Sequence, residues 1–124
     1  MTTVPLIAIV DDEESVRSAV DSLARSAGYR TVTFESGEAF LAWDQKIEIG
    51  CLILDIGMPG LSGLDVQRQL TELKYSIPII FLTGHAGELQ ETALQQGAFA
   101  VLTKPSIFED LLSTIESALR SSSR

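Results

Sequence analysis

Five apolar runs of four or five residues recur along the chain, and stretches with helical periodicity separate them. The runs have the length of buried strands and are bounded by turn-forming residues, which favours strands over helix segments. The run in the low thirties is the weakest, because its apolar residues only alternate with polar ones. The predicted strands are Leu6–Val10, Thr31–Phe34, Cys51–Leu54, Ile79–Leu82 and Ala100–Thr103.

Five helices are predicted between and after these strands. The first carries apolar residues at helical spacing and ends at Gly28, which can adopt the left-handed conformation. Ser36 and Ser62 are suited to cap the second and third helices. The inward residues predicted for the first three helices are Val16, Ala19, Val20, Leu23, Ala24 and Ala27, then Ala39, Phe40 and Trp43, then Leu64, Val66, Leu70 and Leu73.

The boundaries of the last two helices are predicted from residues at their ends. Residues 87–96 are predicted as the fourth helix, which Gly97 ends. Ser106 and Glu109 have capping-box spacing and open the fifth helix. Its predicted inward residues are Leu111, Leu112, Ile115, Ala118 and Leu119.

The regular alternation of strand and helix predicts an α/β fold. Parallel strands joined by right-handed helical crossovers bury such a pattern economically, so we expect a doubly wound sheet with helices on both faces. With 124 residues, the chain has the size of one globular domain. We assign residues 1–120 to this domain and residues 121–124 to a tail or linker stub.

Composition excludes several classes of function. One cysteine rules out an internal disulfide, and one histidine leaves no ligand set for structural zinc. The net charge of −8 would repel a nucleic acid backbone. Neither a secretory leader nor a membrane span is evident, so we expect a cytoplasmic protein that binds neither nucleic acid nor membrane.

Charged residues follow three of the predicted strands. Asp11 and Asp12 follow the first strand, Asp55 the third and Lys104 the fifth. Carboxyl ends of parallel strands share one edge of the sheet, so these charges should converge there. Crowded carboxylates repel one another, and a hard cation such as Mg²⁺ would relieve that repulsion. Lys104 would attract an anion that shares the metal.

A carboxylate at this edge of the sheet can act as a nucleophile as well as bind a cation. Held in line with a metal-bound phosphoryl group, Asp55 could attack phosphorus and form an acyl phosphate. Thr83 follows the fourth strand, where its hydroxyl could bond a phosphoryl oxygen. The sequence therefore predicts a site that takes up phosphate covalently.

Taken together, the segments at these strand ends resemble the motif set of receiver domains of two-component response regulators. They are Val-Asp11-Asp12-Glu, Leu-Asp55-Ile-Gly-Met58-Pro59-Gly60 with Ser62-Gly63, Leu-Thr83-Gly84 and Thr-Lys104-Pro105. The resemblance covers essentially the whole chain, and the combination in this order is specific although each short motif is not. Around Asp55 and Thr83 the chain most resembles receivers of the nitrogen-fixation regulator type, which precede helix-turn-helix output domains.

The resemblance implies a flavodoxin-like (βα)5 fold with strand order 2-1-3-4-5. It implies that Asp55 accepts a phosphoryl group from a histidine kinase or phosphotransfer protein. Asp12 and Asp55 would ligate Mg²⁺, with Mn²⁺ as an alternative, Asp11 would act through water, and the Gly57 main-chain carbonyl would complete the set. Thr83 and Lys104 would hold the phosphoryl group, with a cis Lys104–Pro105 bond.

The same resemblance implies how the domain acts on other proteins. It would switch an output domain or protein partner and would not turn over outside substrates, apart from its own phosphorylation and dephosphorylation. A homodimer through the face formed by the fourth helix, fifth strand and fifth helix is a further expectation.

Two positions depart from the family pattern. Val101 stands where the family usually has a switch tyrosine or phenylalanine, so we expect the readout to be atypical, with Phe99 as a partial substitute. Gly57 stands where many relatives have a side chain that tunes attack by water on the phosphoryl group. We therefore expect the phosphoryl lifetime to depend on His85.

Other interpretations were weighed against this one. Asp11 and Asp12 could simply favour the start of a helix, and Asp55 and Thr83 could be turn residues, but their joint position at strand ends argues against that. A haloacid-dehalogenase-type phosphatase needs a second acid where Gly57 stands. A flavin carrier would be repelled by the acidic first loop. A degenerate receiver that only docks stays open because of Val101.

Overall fold

The computed structural model describes residues 4–84, 88–103 and 107–122. Strands and helices alternate along the chain, and a short 3-10 helix lies at Lys46–Glu48. The strands are β1 (Leu6–Val10), β2 (Arg30–Phe34), β3 (Ile49–Asp55), β4 (Ile79–Thr83) and β5 (Ala100–Thr103). The helices are α1 (Glu14–Ser26), α2 (Gly37–Ala42), α3 (Gly63–Glu72), α4 (Glu88–Gln95) and α5 (Ile107–Ser122).

The five strands form one parallel sheet in the order β2-β1-β3-β4-β5. This confirms the predicted topology and strand order. β1, β3 and β4 are central, and their apolar residues are buried on both sides of the sheet, as a sheet covered by helices requires. β3 extends further than predicted at both ends and includes Asp55.

Helices cover both faces of the sheet and produce two hydrophobic clusters. One cluster packs β-strand residues against α2, α3 and α4 through Phe40, Val66, Leu70 and Ala93. The other packs the opposite face against α1 and α5 through Val20, Leu111 and Ile115. The doubly wound architecture is therefore confirmed. The thiol of Cys51 lies in the second cluster, where burial raises its pKa to about 12.

Local signals in the sequence account for four of the helix ends. Ser36 Oγ accepts a hydrogen bond from Ala39 N, and Ser62 forms a capping box with Asp65 at the start of α3. Gly28 and Gly97 adopt the left-handed conformation after α1 and α4, with φ of +94° and +103°. The predicted cap Ser106 lies outside the described residues.

Several details differ from the predictions, and four residues predicted to face inward are exposed, namely Ala19, Ala27, Ala39 and Leu73. Ala19 and Ala27 are exposed although they fit the helical stripe, because α1 turns only a narrow face, centred on Val20 and Ala24, toward the sheet. Trp43 lies just after α2, and its ring contacts that of Phe34 at a tilt of 58°. α5 continues through Ser122, past the predicted domain boundary.

Lys46 is buried although it is a lysine. Its ammonium donates to the carbonyl oxygens of Leu41, at 2.7 Å, and Trp43, and lies over the rings of Phe40 and Tyr75. These contacts join the 3-10 helix to the end of α2 and to Tyr75, which follows α3. Within the described ranges, none of the helices combines the length and the apolar content needed to span a bilayer.

Candidate functional site

The carboxyl ends of the three central strands bring the predicted site residues together. Val10 pairs with Leu54, and Asp55 pairs with Leu82, so Asp11, Asp55 and Thr83 follow one another across the same edge. Thr83 is the last residue of β4 and pairs with Thr103 of β5. The parallel topology thus converts three distant segments into one site.

Three carboxylates form a compact cluster at this edge. Asp11, Asp12 and Asp55 each present an oxygen such that the three oxygens all lie within 4.8 Å of one another. Asp11 is 1% exposed and Asp55 is 9% exposed, whereas Asp12 is exposed to solvent. Two of the three carboxylates are therefore buried, and the Asp12 carboxylate lies on the solvent-exposed side of the cluster.

Burial raises the pKa of Asp55 from 3.8 to about 6. The Gly57 amide, which donates to Asp55 Oδ1 at 3.2 Å, opposes this increase, while the negative charge of Asp11 and the Asp12 carboxyl add to it. Asp55 is still largely ionised at neutral pH. A crowded, partly desolvated carboxylate of this kind is typical of functional sites.

Backbone and side-chain contacts fix the first acidic loop. Asp11 Oδ1 accepts a hydrogen bond of 2.9 Å from Glu13 N, which turns the chain into α1. Arg17 reaches back from α1 and donates through Nη1 to the Asp11 carbonyl oxygen at 2.7 Å. This positive charge beside the acids was not identified from the sequence. Its spacing of six residues from Asp11 carries no recognisable pattern.

The loop after Asp55 is held at several points. Ile56 N donates to Leu82 O at 3.0 Å, and Gly63 N donates to Ile56 O at 3.2 Å. Leu61 N donates to Glu38 Oε2 of α2 at 3.4 Å. Gly57 faces open space, and a Cβ atom added there would meet no atom within 4 Å.

Two residues of α3, Gly63 and Gln67, have structural roles that the sequence motifs did not assign. Gly63 lets the start of α3 lie against the backbone of Asp55. Gln67, one turn further, is buried and bonded to α4. A glycine after a helix cap and a glutamine inside a helix are common in any sequence, so only the packing singles them out.

The proposed switch residues lie on or beside β5. Thr83 is 8% exposed, and Val101, opposite Phe81 in the sheet register, packs at the edge of the α2–α3–α4 cluster. Phe99 precedes β5 and lines a cavity of about 600 Å³ with Leu70, Tyr75 and Ile77. That cavity opens at the amino ends of β4 and β5, opposite the carboxylates. Lys104, Pro105 and His85 lie outside the described residues.

Comparison with known proteins identifies the class to which this arrangement is similar. Residues 7–116 match the family model of the response regulator receiver domain. The response regulator protein TmoT of Ectopseudomonas mendocina is 48% identical over 116 residues, which cover 93% of this chain and 53% of TmoT. The transcriptional regulatory protein FixJ of Bradyrhizobium diazoefficiens is 36% identical over 123 residues, covering 97% of this chain and 59% of FixJ.

Solved structures have the same fold. The crystal structure of FixJ-N superposes with a TM-score of 0.88 at 33% identity and covers 96% of both chains. The response regulator StyR gives a TM-score of 0.88 at 39% identity and covers 96% of this chain and 61% of its own. The chain therefore spans about half to three fifths of the length of TmoT, FixJ and StyR.

Proposed function

This chain belongs to the response regulator receiver domain family of two-component signalling, and on that premise we propose that Asp55 is the residue that accepts a phosphoryl group in a Mg²⁺-dependent reaction. The observation that carries the proposal is the cluster of Asp11, Asp12 and Asp55 oxygens within 4.8 Å, placed beside Thr83. A carboxylate this close to two others needs a cation before a phosphate can approach it.

The carboxylate cluster fits Mg²⁺ by chemistry and by size. Mg²⁺ prefers oxygen ligands at about 2.0–2.1 Å, so two oxygens on one ion lie at most about 4.2 Å apart. Oxygens already within 4.8 Å need only small adjustments to bind it. Asp12 and Asp55 would hold the ion directly, Asp11 through water, and the Gly57 carbonyl would complete the protein's ligands. Bound Mg²⁺ would neutralise charge on the phosphoryl oxygens.

Residues of this chain would carry out the transfer of the phosphoryl group to Asp55. The Asp55 carboxylate attacks phosphorus; a bond forms between phosphorus and an Asp55 oxygen while the bond to the donor breaks. The donor's phosphohistidine nitrogen, or the carboxylate of acetyl phosphate, leaves with the electron pair. The Gly57 amide holds Oδ1 and orients the carboxylate. Thr83 and Lys104 would bond the phosphoryl oxygens.

The partners proposed with this function are a donor and an output. A histidine kinase or phosphotransfer protein would supply the phosphoryl group, and an output domain or protein partner would respond. TmoT and FixJ are about twice as long as the matched region, which favours an output domain in the full protein. We place the protein in the cytoplasm, as for response regulators generally, and a homodimer through α4, β5 and α5 stays a prediction.

We infer that the domain is a switch and not a multiple-turnover enzyme. A phosphatase that forms an aspartyl phosphate needs a second acid two residues after the nucleophile, and Gly57 supplies none. The surviving alternative is a receiver that docks without being phosphorylated. The intact Asp11, Asp12, Asp55 and Thr83 argue against it, since a docking module has no need for a strained carboxylate cluster.

Intact mass after incubation with acetyl phosphate and Mg²⁺ tests the proposal. Wild type should gain the mass of one phosphoryl group, and Asp55→Asn should gain none. Adding a metal chelator should abolish the gain. Asp65→Asn is a control, because Asp65 is an acidic residue that bonds Ser62 and does not belong to the carboxylate cluster. An unmodified wild type, or a modified Asp55→Asn, would refute Asp55 as the acceptor.

A further inference from the structure

Gln67 is a buried polar side chain of α3 that faces α4. It is 2% exposed and lies on the same side of α3 as Val66 and Leu70, which belong to the apolar cluster. Burying a carboxamide is unfavourable unless its polar atoms find partners. The position therefore needs a physical reason beyond packing.

Only one end of the carboxamide is satisfied. Nε2 donates to the carbonyl oxygen of Ala93 in α4 at 3.1 Å, whereas Oε1 is buried and accepts no hydrogen bond from the described residues. Exchanging the two ends would place Oε1 against another oxygen, so this orientation is the favourable one. Gln67 thus makes one hydrogen bond to α4 while its buried carbonyl oxygen has no partner among the described residues.

The Ala93 carbonyl oxygen takes part in the hydrogen bonds that end α4. It also accepts from Ala98 N at 3.0 Å, and Gly97 N donates to Leu94 O at 3.1 Å, which together form the left-handed helix end. Phe99 N then donates to Ile79 O at 2.8 Å and fixes the chain to β4. Ala93 is the one fully buried residue among the described side chains of α4.

The described residues show what holds the end of α4 in place. Its end is joined to α3 by Gln67 and to the sheet through residue 99. Its start at Glu88 follows Thr83 by five residues, and Leu89 is 53% exposed. A movement of Thr83 toward a phosphoryl group would reach the start of α4 first.

Building on the function proposed above, we propose that Gln67 is a positioning residue that pins the end of α4 to α3, so that phosphorylation of Asp55 tilts α4 about Ala93 instead of detaching it. The surface presented to a partner would then change at the start of the helix and persist at its end. Gln67 acts through α4 and touches no reacting atom.

Gln67→Met tests whether Gln67 pins the end of α4, and it changes the shape of the side chain little. Ala93 O keeps its bond from Ala98 N, and the change removes the unsatisfied Oε1, so we expect a melting temperature close to that of wild type. The amide hydrogens of Gln96, Gly97 and Ala98 should nevertheless exchange about 2- to 10-fold faster, the change expected for one lost hydrogen bond. Uniform destabilisation would not produce this local effect.

Gln69→Met is the matched control, since it makes the same change on the same helix at a partly exposed position. Equal exchange rates in the two variants would overturn the pin. Gln67→Leu is a second variant and should show the same local increase in amide exchange. If Gln67→Met does not fold, the result for Gln67→Leu decides.

Beryllofluoride with Mg²⁺, a mimic of the phosphorylated state, tests the tilt. In wild type the changes in amide exchange should concentrate at Leu89 and Gln90, and in Gln67→Met they should extend to Gln96–Ala98. Lost protection at Gln96–Ala98 in activated wild type would overturn the tilt. If amide exchange in wild type and in Asp55→Asn responds to beryllofluoride in the same way, the proposed function and the tilt are both refuted. Amide exchange measured without beryllofluoride would still test whether Gln67 pins the end of α4.

Discussion

Gly63 lies so close to Asp55 that no side chain fits between them. A Cβ atom on Gly63 would be 2.5 Å from the Asp55 carbonyl oxygen and 3.0 Å from Phe81 in the core. Backbone atoms cannot move aside as the tip of a flexible side chain can. The absence of a side chain at residue 63 therefore allows the capped start of α3 to rest directly on the end of β3.

Gly63→Ala should displace this contact and destabilise the domain. Forcing a methyl group into a packed site costs about 1–3 kcal/mol, which thermal or urea unfolding would measure. Because the displaced atoms belong to Asp55, the yield of phosphorylated protein in intact mass should also fall. Gly57→Ala is the stability control, since a Cβ there meets no atom. Equal melting temperatures for the two variants would contradict this account.

The raised pKa of Asp55 makes stability depend on pH. Its folded value of about 6 exceeds the ordinary 3.8, so the folded state binds the proton more tightly than the unfolded state. The contribution is fully present below about pH 4 and is lost as pH rises through 6. Two pKa units correspond to about 3 kcal/mol, an upper bound for this group.

Asp55→Asn removes that titration, so it should be more stable than wild type at pH 7 without metal. The difference between the two proteins should shrink as pH falls from 7 to 4. Asp65→Asn should behave oppositely, because hydrogen bonds from Ser62 lower the pKa of Asp65 and stabilise its ionised form. Urea unfolding at several pH values measures both. An Asp55→Asn variant that is less stable at pH 7 would be inconsistent with the crowded cluster.

Mg²⁺ should raise the melting temperature of wild type by binding the carboxylates in the folded state only. A ligand at 100 times its dissociation constant contributes about 2.7 kcal/mol. Asp12→Ala removes one like charge beside Asp55, so it should be more stable than wild type without Mg²⁺ and should lose the response to Mg²⁺. Differential scanning calorimetry with and without Mg²⁺ checks both effects. A wild-type melting curve indifferent to Mg²⁺ would argue against this ligand set.

Val101 should weaken the link between phosphorylation and the surface of α4 and β5. A half-buried valine has no ring that can change place when Thr83 moves. We expect amide chemical shifts of α4 and β5 to change less with beryllofluoride in wild type than in Val101→Phe, with Val101→Ile as the control for size. A full-sized rearrangement in wild type would refute the expectation.

Local sequence signals account for much of the fold. The apolar runs predicted the strands, and Ser36, Ser62, Gly28 and Gly97 predicted helix ends, because capping bonds and left-handed turns depend on residues close in sequence. Predictions based on helical stripes were weaker. Ala19 fits the stripe of α1 but is exposed, since the width of the buried face depends on what packs against it.

The sequence by itself determined the strand-end position of Asp11, Asp55 and Thr83, because the end of a strand is a local property and parallel topology brings such ends together. Only the tertiary structure decided the burial of Lys46, the contact of Arg17 with Asp11, the fit of Gly63 on Asp55 and the bond from Gln67 to Ala93. The bond from Gln67 to Ala93 joins positions 26 residues apart, and even the nearer pairs depend on the distance between one element and the next. That distance is set by packing, and no local pattern of residues records it.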